Sequence, residues 1–188
     1  MDTKTSLLNI GLALFSKSPY EAVGVQDIVA HAHVTKPTLY HHFGSKLGFY
    51  QAVFEHFASP FFDLMIEKSH YNRDLTHNLN EMSCAALEFF RSNPAVYWLL
   101  EYSINASVES EHHDFVAEKW KQLNQAVEAM FAAAVEQHGN LKDKIALTGR
   151  LFIHAIRAEV FVVLTNQHPY TPDLPYKLVH QFMHGIFA

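Results

Sequence analysis

The chain has 188 residues, a hydrophobic fraction of 49% and a formal net charge of −5, enough apolar material to bury a core in one or two small domains. Seven Gly and seven Pro are few for this length and cluster at breaks, which favours long helices over a strand-rich fold; the single Cys84 excludes an internal disulfide framework and suits a reducing compartment. The N-terminal MDTKTSLL lacks a charged-then-apolar signal pattern, and the most apolar run, Val160 to Leu164, is far too short for a bilayer, so a soluble, cytoplasmic chain without membrane association is expected.

Apolar spacing predicts a first helix over about 5–16, burying Ile10, Leu14 and Phe15 together with Leu7 and Ala13. A second covers about 25–32, with Ile28, Val29 and Ala32 on one side, and Val34 can plug the turn that follows. The third is short, from Lys36 to about His42. Thr35 is a good N-cap for it, and Pro37 sits in its first turn, where a missing N–H costs nothing. Leu39 and Phe43 face inward, Gly44 ends the helix and Ser45 caps the next. A helix of about two turns is not stable alone. It must dock by one face and leave Lys36, Thr38, Tyr40 and His41 on the other, which is the build of a helix-turn-helix recognition element.

A fourth helix runs from Ser45 through Phe57, with Pro60 expected to kink or interrupt it before the apolar face continues through Phe61, Phe62, Met65 and Ile66. Asp74 is a candidate N-cap for a fifth helix over about 75–91, and Ser92-Asn93-Pro94 is a break that places Pro94 at N1 of a sixth. Ser107 to Glu111 reads as a loop. A seventh helix follows over about 113–137, closed by Gly139 at C′. The eighth, about 142–165, is apolar nearly all round in its second half, which predicts burial on two sides. Pro169, Pro172 and Pro175 mark a connector, and the ninth helix, about 173–187, carries Leu178, Val179, Phe182, Met183 and Ile186 on one stripe. The fold class is therefore all-α, with about nine helices.

The net charge at first argues against a nucleic-acid partner. In residues 1–48, however, four lysines face three acids, giving +1 and leaving −6 to the remainder. The recognition end is the less acidic end, though it contains no Arg; His31, His33, His41 and His42 can add charge at mildly acidic pH.

The stretch TKPTLYHHFGSK resembles the signature of the TetR family of one-component transcriptional regulators. Ala13-Leu14-Phe15 and Pro19-Tyr20-Glu21-Ala22 resemble its first helix and exit, and Phe49 to Phe57 the start of its connecting helix, so specific similarity covers about residues 10–55. The resemblance implies a three-helix DNA-binding domain over 1–48 and a helical ligand-binding and dimerisation domain over 49–188. It implies DNA contacts from Thr35, Lys36, Pro37, Thr38, Tyr40, His41 and His42, with Lys46 as a phosphate-binding lysine. The partners it implies are an operator in double-stranded DNA, palindromic and read by a homodimer paired through the helices near 142–165 and 173–187, and a small apolar or aromatic ligand whose binding releases DNA. Candidate pocket residues are Phe61, Met65, Phe89, Trp98, Glu101, Tyr102, Trp120, Phe131, His154 and Arg157. His154 and Arg157 lie one turn apart inside an apolar helix, where a buried charge needs a partner such as Glu101 or Glu159. Two positions depart from the family pattern: Val23-Gly24 stands where a hydroxyl pair usually caps the second helix, and His33 where the turn usually has Gly. Both predict weaker backbone anchoring and a shallow salt dependence.

Enzyme and adaptor readings are the alternatives. Glu67-x-x-His70 and Glu109-x-x-His112 match the Glu-x-x-His spacing of di-iron bundles, but 12 Glu and 14 His in this length give about one such pair by chance, and both lie near expected helix ends. His112-His113-Asp114 reads as a helix start. There is no GxSxG, P-loop or HExxH, so no cofactor is expected, and Cys84 reads as a buried inert thiol. A helical adaptor that binds protein but no DNA would have no need of Lys36, Thr38, Tyr40, His41 and Lys46 together.

Overall fold

The computed structural model describes residues 2–185. Among them are ten α-helices and two short 3-10 turns, and no strand. The expected Ile186 on the last stripe lies outside the described residues. The chain divides into two compact units, Met1–Phe61 with Asn93–Trp120, and Phe62–Ser92 with Lys121–Ala188. Packing therefore does not break at residue 48, because the helix after the recognition element folds with it.

In the first unit, α1 spans Thr3–Phe15 and starts where the Thr5 N–H donates to the Asp2 carboxylate at 2.8 Å. Its buried face is Leu7, Leu8, Gly11 and Phe15; Ile10 and Leu14 are half-buried and Ala13 is exposed, so the helix is rotated from the expected stripe. Gly11 is the reason. A Cβ there would stand 2.4 Å from Val53 Cγ2 and 2.7 Å from Phe49 Cζ, so the missing side chain lets α1 lie directly on α4, Lys46–Phe57. Between these come α2, Val25–Ala32, and α3, Lys36–Phe43. Leu7, Phe15, Ile28, Leu39, Phe49, Val53 and Phe54 close the core at 0–1% exposure. Helix α5, Ser59–Lys68, begins here. Pro60 falls in its first turn, where proline is tolerated, so of the expected kink or interruption the chain takes the interruption: α4 and α5 are separate helices, and the described residues hold ten rather than about nine. Helix α7, Pro94–Ile104, and the start of α8, His113–Ala134, complete the unit.

The second unit holds the rest of α5 and α8, with α6 at Leu75–Ser92, α9 at Ile145–Leu164 and α10 at Leu174–His184. Asp74 caps α6 as expected, accepting from the His77 N–H at 2.9 Å. Buried Asn78 ties the α5–α6 turn together: its amide donates to the carbonyls of Lys68 and His70, and its oxygen accepts from the Asn72 N–H. Phe131, Phe152 and Phe182 form an aromatic cluster with centroids 5.1–6.5 Å apart. Helix α8 stops at Ala134 rather than Gln137, and Gly139 opens a 3-10 turn, Gly139–Leu141, instead of closing a helix. Leu147, Leu151 and Phe161 on α9, with Tyr176 and Met183 on α10, are large apolar side chains left exposed. No helix among the described residues is long and apolar enough to cross a membrane.

Candidate nucleic-acid interface

The recognition element is built as its local signals dictate. Gly24 caps α2 without a hydroxyl, and the Asp27 carboxylate compensates in part by accepting from the Gly24 N–H at 3.2 Å. After α2, His33 adopts φ 51°, ψ 39°, the left-handed conformation that the usual glycine would take without strain. The Val34 N–H then donates to the Val29 carbonyl at 3.1 Å, a Schellman-type closure that turns the chain toward α3. The Thr35 hydroxyl accepts from the Thr38 N–H at 3.4 Å and meets the Thr38 hydroxyl at 2.9 Å, so the two threonines build the helix start.

Leu39 is the anchor of α3, with no exposed surface. Phe43 is half-buried, edge-on to Phe49 at 5.0 Å. Opposite that face, Thr35, Lys36, Pro37, Tyr40, His41 and His42 are exposed, while Thr38 and Lys46 are half-buried. The residues that the sequence singled out thus lie on α3 with its N-cap and at the start of α4, and all but Thr38 and Lys46 are exposed.

Lys46 does not stand by itself. Its ammonium lies 4.1 Å above the ring of Tyr20, within cation–π range. Tyr20, in the 3-10 turn Tyr20–Ala22, is buried; it stacks on Phe15, meets Tyr50 edge-on at 5.1 Å, and lies 4.6 Å from the His112 ring. The Tyr20 hydroxyl donates a short hydrogen bond to the Glu111 carboxylate. Burial, that bond and the nearby carboxylates push the Tyr20 phenol well up, so it stays a donor. His112 is 1% exposed, wedged against Tyr20 and Tyr50; its Nδ1 has no hydrogen-bond partner and is 3.8 Å from the Glu21 carboxylate. The Ser103 hydroxyl donates to the Leu99 carbonyl at 2.5 Å, so the Tyr50 hydroxyl at 2.5 Å from Ser103 Oγ is the donor to it. Sequence reading missed Tyr20, Glu111 and His112 as a group, because no local pattern links residues 91 positions apart.

The expected ligand-pocket residues divide between the two units. Phe61, Trp98, Glu101, Tyr102 and Trp120 belong to the first unit, and Met65, Phe89, Phe131, His154 and Arg157 to the second. The second unit has an open cavity of about 320 Å³ lined by Leu75, Leu79, Phe131, His138, Asn140, Leu141, Lys144, Thr148, Leu151, Phe182 and Met183; of the expected residues only Phe131 reaches it. His154 and Arg157 are not a buried pair: His154 is exposed, Arg157 is half-buried, and its Nη1 lies 3.4 Å from His154 Nδ1. Cys84 is half-buried rather than buried, its thiol pushed up chiefly by burial. Among the described residues no group of three or more His, Cys, Asp or Glu could hold a metal ion.

An all-helical chain with this N-terminal element is of the helix-turn-helix class. Residues 7–53 match the model of the tetR family of bacterial regulatory proteins. Similar folds include a Clostridium perfringens protein described as a candidate fatty acid metabolism regulator, at TM-score 0.82 and 15% identity, covering 97% of this chain and 99% of that one. Others are the transcriptional regulator FadR of Bacillus subtilis in complex with stearoyl-CoA, at 0.77 and 15%, covering 97% and 98%, and NalD of Pseudomonas aeruginosa, a secondary repressor of the MexAB-OprM multidrug efflux pump, at 0.71 and 15%, covering 97% and 94%. Comparison with curated protein sequences finds no match.

Proposed function

We propose that this chain is a sequence-specific, ligand-responsive transcriptional regulator, a cytoplasmic repressor that binds a palindromic operator as a homodimer. The observation that carries the reading is the exposure of Lys36, Tyr40 and His41 on α3 while Leu39 is wholly buried. A docked short helix with a polar, aromatic outer face suits the major groove. Residues 1–48 supply DNA contacts, from Thr35, Lys36, Pro37, Thr38, Tyr40, His41 and His42 on bases and backbone and from Lys46 on phosphate; residues 49–188 supply dimerisation and ligand binding. The exposed apolar side chains of α9 and α10 support pairing with a second copy.

The ligand site proposed within the second unit is the open cavity beside Leu79 and Phe131. Phe131, Phe182, Leu75 and Leu79 form an apolar wall, and His138, Asn140, Lys144 and Thr148 contribute polar groups, an arrangement suited to an apolar ligand with a polar or anionic end. The fold shared with a regulator bound to stearoyl-CoA supports an acyl ligand. Such a ligand releases DNA only if it binds the DNA-free geometry more tightly.

Selection of bound duplexes from a random DNA library tests the reading. Enrichment of an inverted repeat is expected. No enrichment at low salt would overturn it and favour a protein-binding adaptor.

A further inference from the structure

We propose that Glu111 is a positioning residue for the DNA-contacting end of the chain: by holding the Tyr20 hydroxyl it fixes the ring on which Lys46 rests, so the loop between α7 and α8 sets where Lys46 meets the phosphate backbone. The inference rests on the reading that Lys46 contacts DNA, but its structural half stands apart from that reading. A lysine on a flexible four-carbon stem loses conformational freedom when it binds a phosphate. A lysine already held 4.1 Å above an aromatic face has lost part of it beforehand. That face is itself immobilised on three sides, by Phe15, by Tyr50 and by the His112 ring, and at its hydroxyl by Glu111.

The two residues from outside the recognition element, Glu111 and His112, are consecutive and lie at the end of the connection from α7 to α8. A displacement of this connection withdraws the hydroxyl's acceptor and one ring wall together. Glu111 is otherwise an exposed residue, so nothing in the packing of the core requires a carboxylate there. Its carboxylate accepts from the Tyr20 hydroxyl and acts electrostatically on Lys46, which makes the side chain a connector rather than a core element.

The test compares Glu111→Ala with Glu111→Gln. Both remove the charge, but glutamine keeps an oxygen that accepts from Tyr20. Lysine reactivity is read first, as the rate of reductive methylation at Lys46 by mass spectrometry without DNA. Glu111→Ala is expected to raise that rate several-fold, and Glu111→Gln to raise it clearly less, since both lose the carboxylate charge that favours the ammonium of Lys46 but only Ala loses the acceptor for Tyr20. Operator binding is read second: Glu111→Ala should bind more weakly than Glu111→Gln, by up to about tenfold, the scale of one ordered lysine side chain. Equal labelling of Lys46 in all three proteins overturns the proposal. So does a labelling change of the same size in both variants, which would make charge rather than the hydrogen bond responsible. If labelling responds as expected but wild type binds no DNA, the positioning of Lys46 stands and the DNA reading fails.

Discussion

The ammonium of Lys46 lies 4.1 Å above the ring of Tyr20, which joins the first turn of the helix after the recognition helix to the turn between α1 and α2. Lys46→Met keeps most of the apolar stem on that ring and deletes the charge. It is expected to weaken operator binding and to lower the slope of log affinity against log salt by about one, the share of a single phosphate contact. Titrations at several salt concentrations measure this, and an unchanged slope would remove Lys46 from the phosphate-binding set.

Tyr40 is 43% exposed on α3, so its side chain contributes little to the core. Tyr40→Ala is expected to weaken specific binding by about 1–3 kcal/mol, the scale of one good base contact, while leaving the mass in solution and the unfolding midpoint unchanged. Mobility-shift assays and sedimentation read the two properties separately. Operator affinity equal to wild type would count against the assignment of α3 as the reading helix.

Burial holds the His112 imidazole below its ordinary value, with the Glu21 carboxylate opposing the shift. The unfolded chain then binds this proton at a higher pH than the folded chain does. The contribution of His112 to stability is complete above the unfolded value of 6.5 and is lost as pH falls from there toward the folded value. Thermal unfolding of wild type against His112→Gln, run from about pH 7.5 to 5.5, should show a steeper acid-side fall in wild type. Parallel curves would mean that His112 does not titrate on unfolding in this range.

Gly11 has no room for a side chain, because a Cβ would stand 2.4 Å from Val53 Cγ2. Gly11→Ala gains helix propensity but must push α1 off α4, and overpacking of this kind costs about 1–3 kcal/mol. A lowered denaturant midpoint with an unchanged slope is expected. A midpoint at or above that of wild type would show that Val53 and Phe49 yield easily.

Leu147 is 54% exposed on α9, one turn from exposed Leu151 and on the same helix as exposed Phe161, and on the proposed reading this face pairs with a second copy. Leu147→Glu is expected to shift the chain from dimer to monomer in sedimentation and, through loss of paired half-sites, to abolish tight operator binding. An unaltered mass would count against pairing through this face of α9.

What the sequence by itself determined is the recognition element and the helical class. Thr35, Pro37, Leu39 and Gly44 act within one or two turns, so capping, proline geometry and apolar spacing are local properties that the linear chain already carries. Helix ends were less legible, as at Ala134 and Ile145, since the tertiary surroundings settle the last turn. Only the tertiary structure decided which way α1 faces, because that depends on a glycine whose value is the absence of an atom against Val53. It also decided that His154 is exposed on an apolar helix, and that Glu111 reaches Tyr20 across 91 positions. Such contacts depend on how separate helices dock, and docking is set by the summed burial of many side chains rather than by any spacing along the chain.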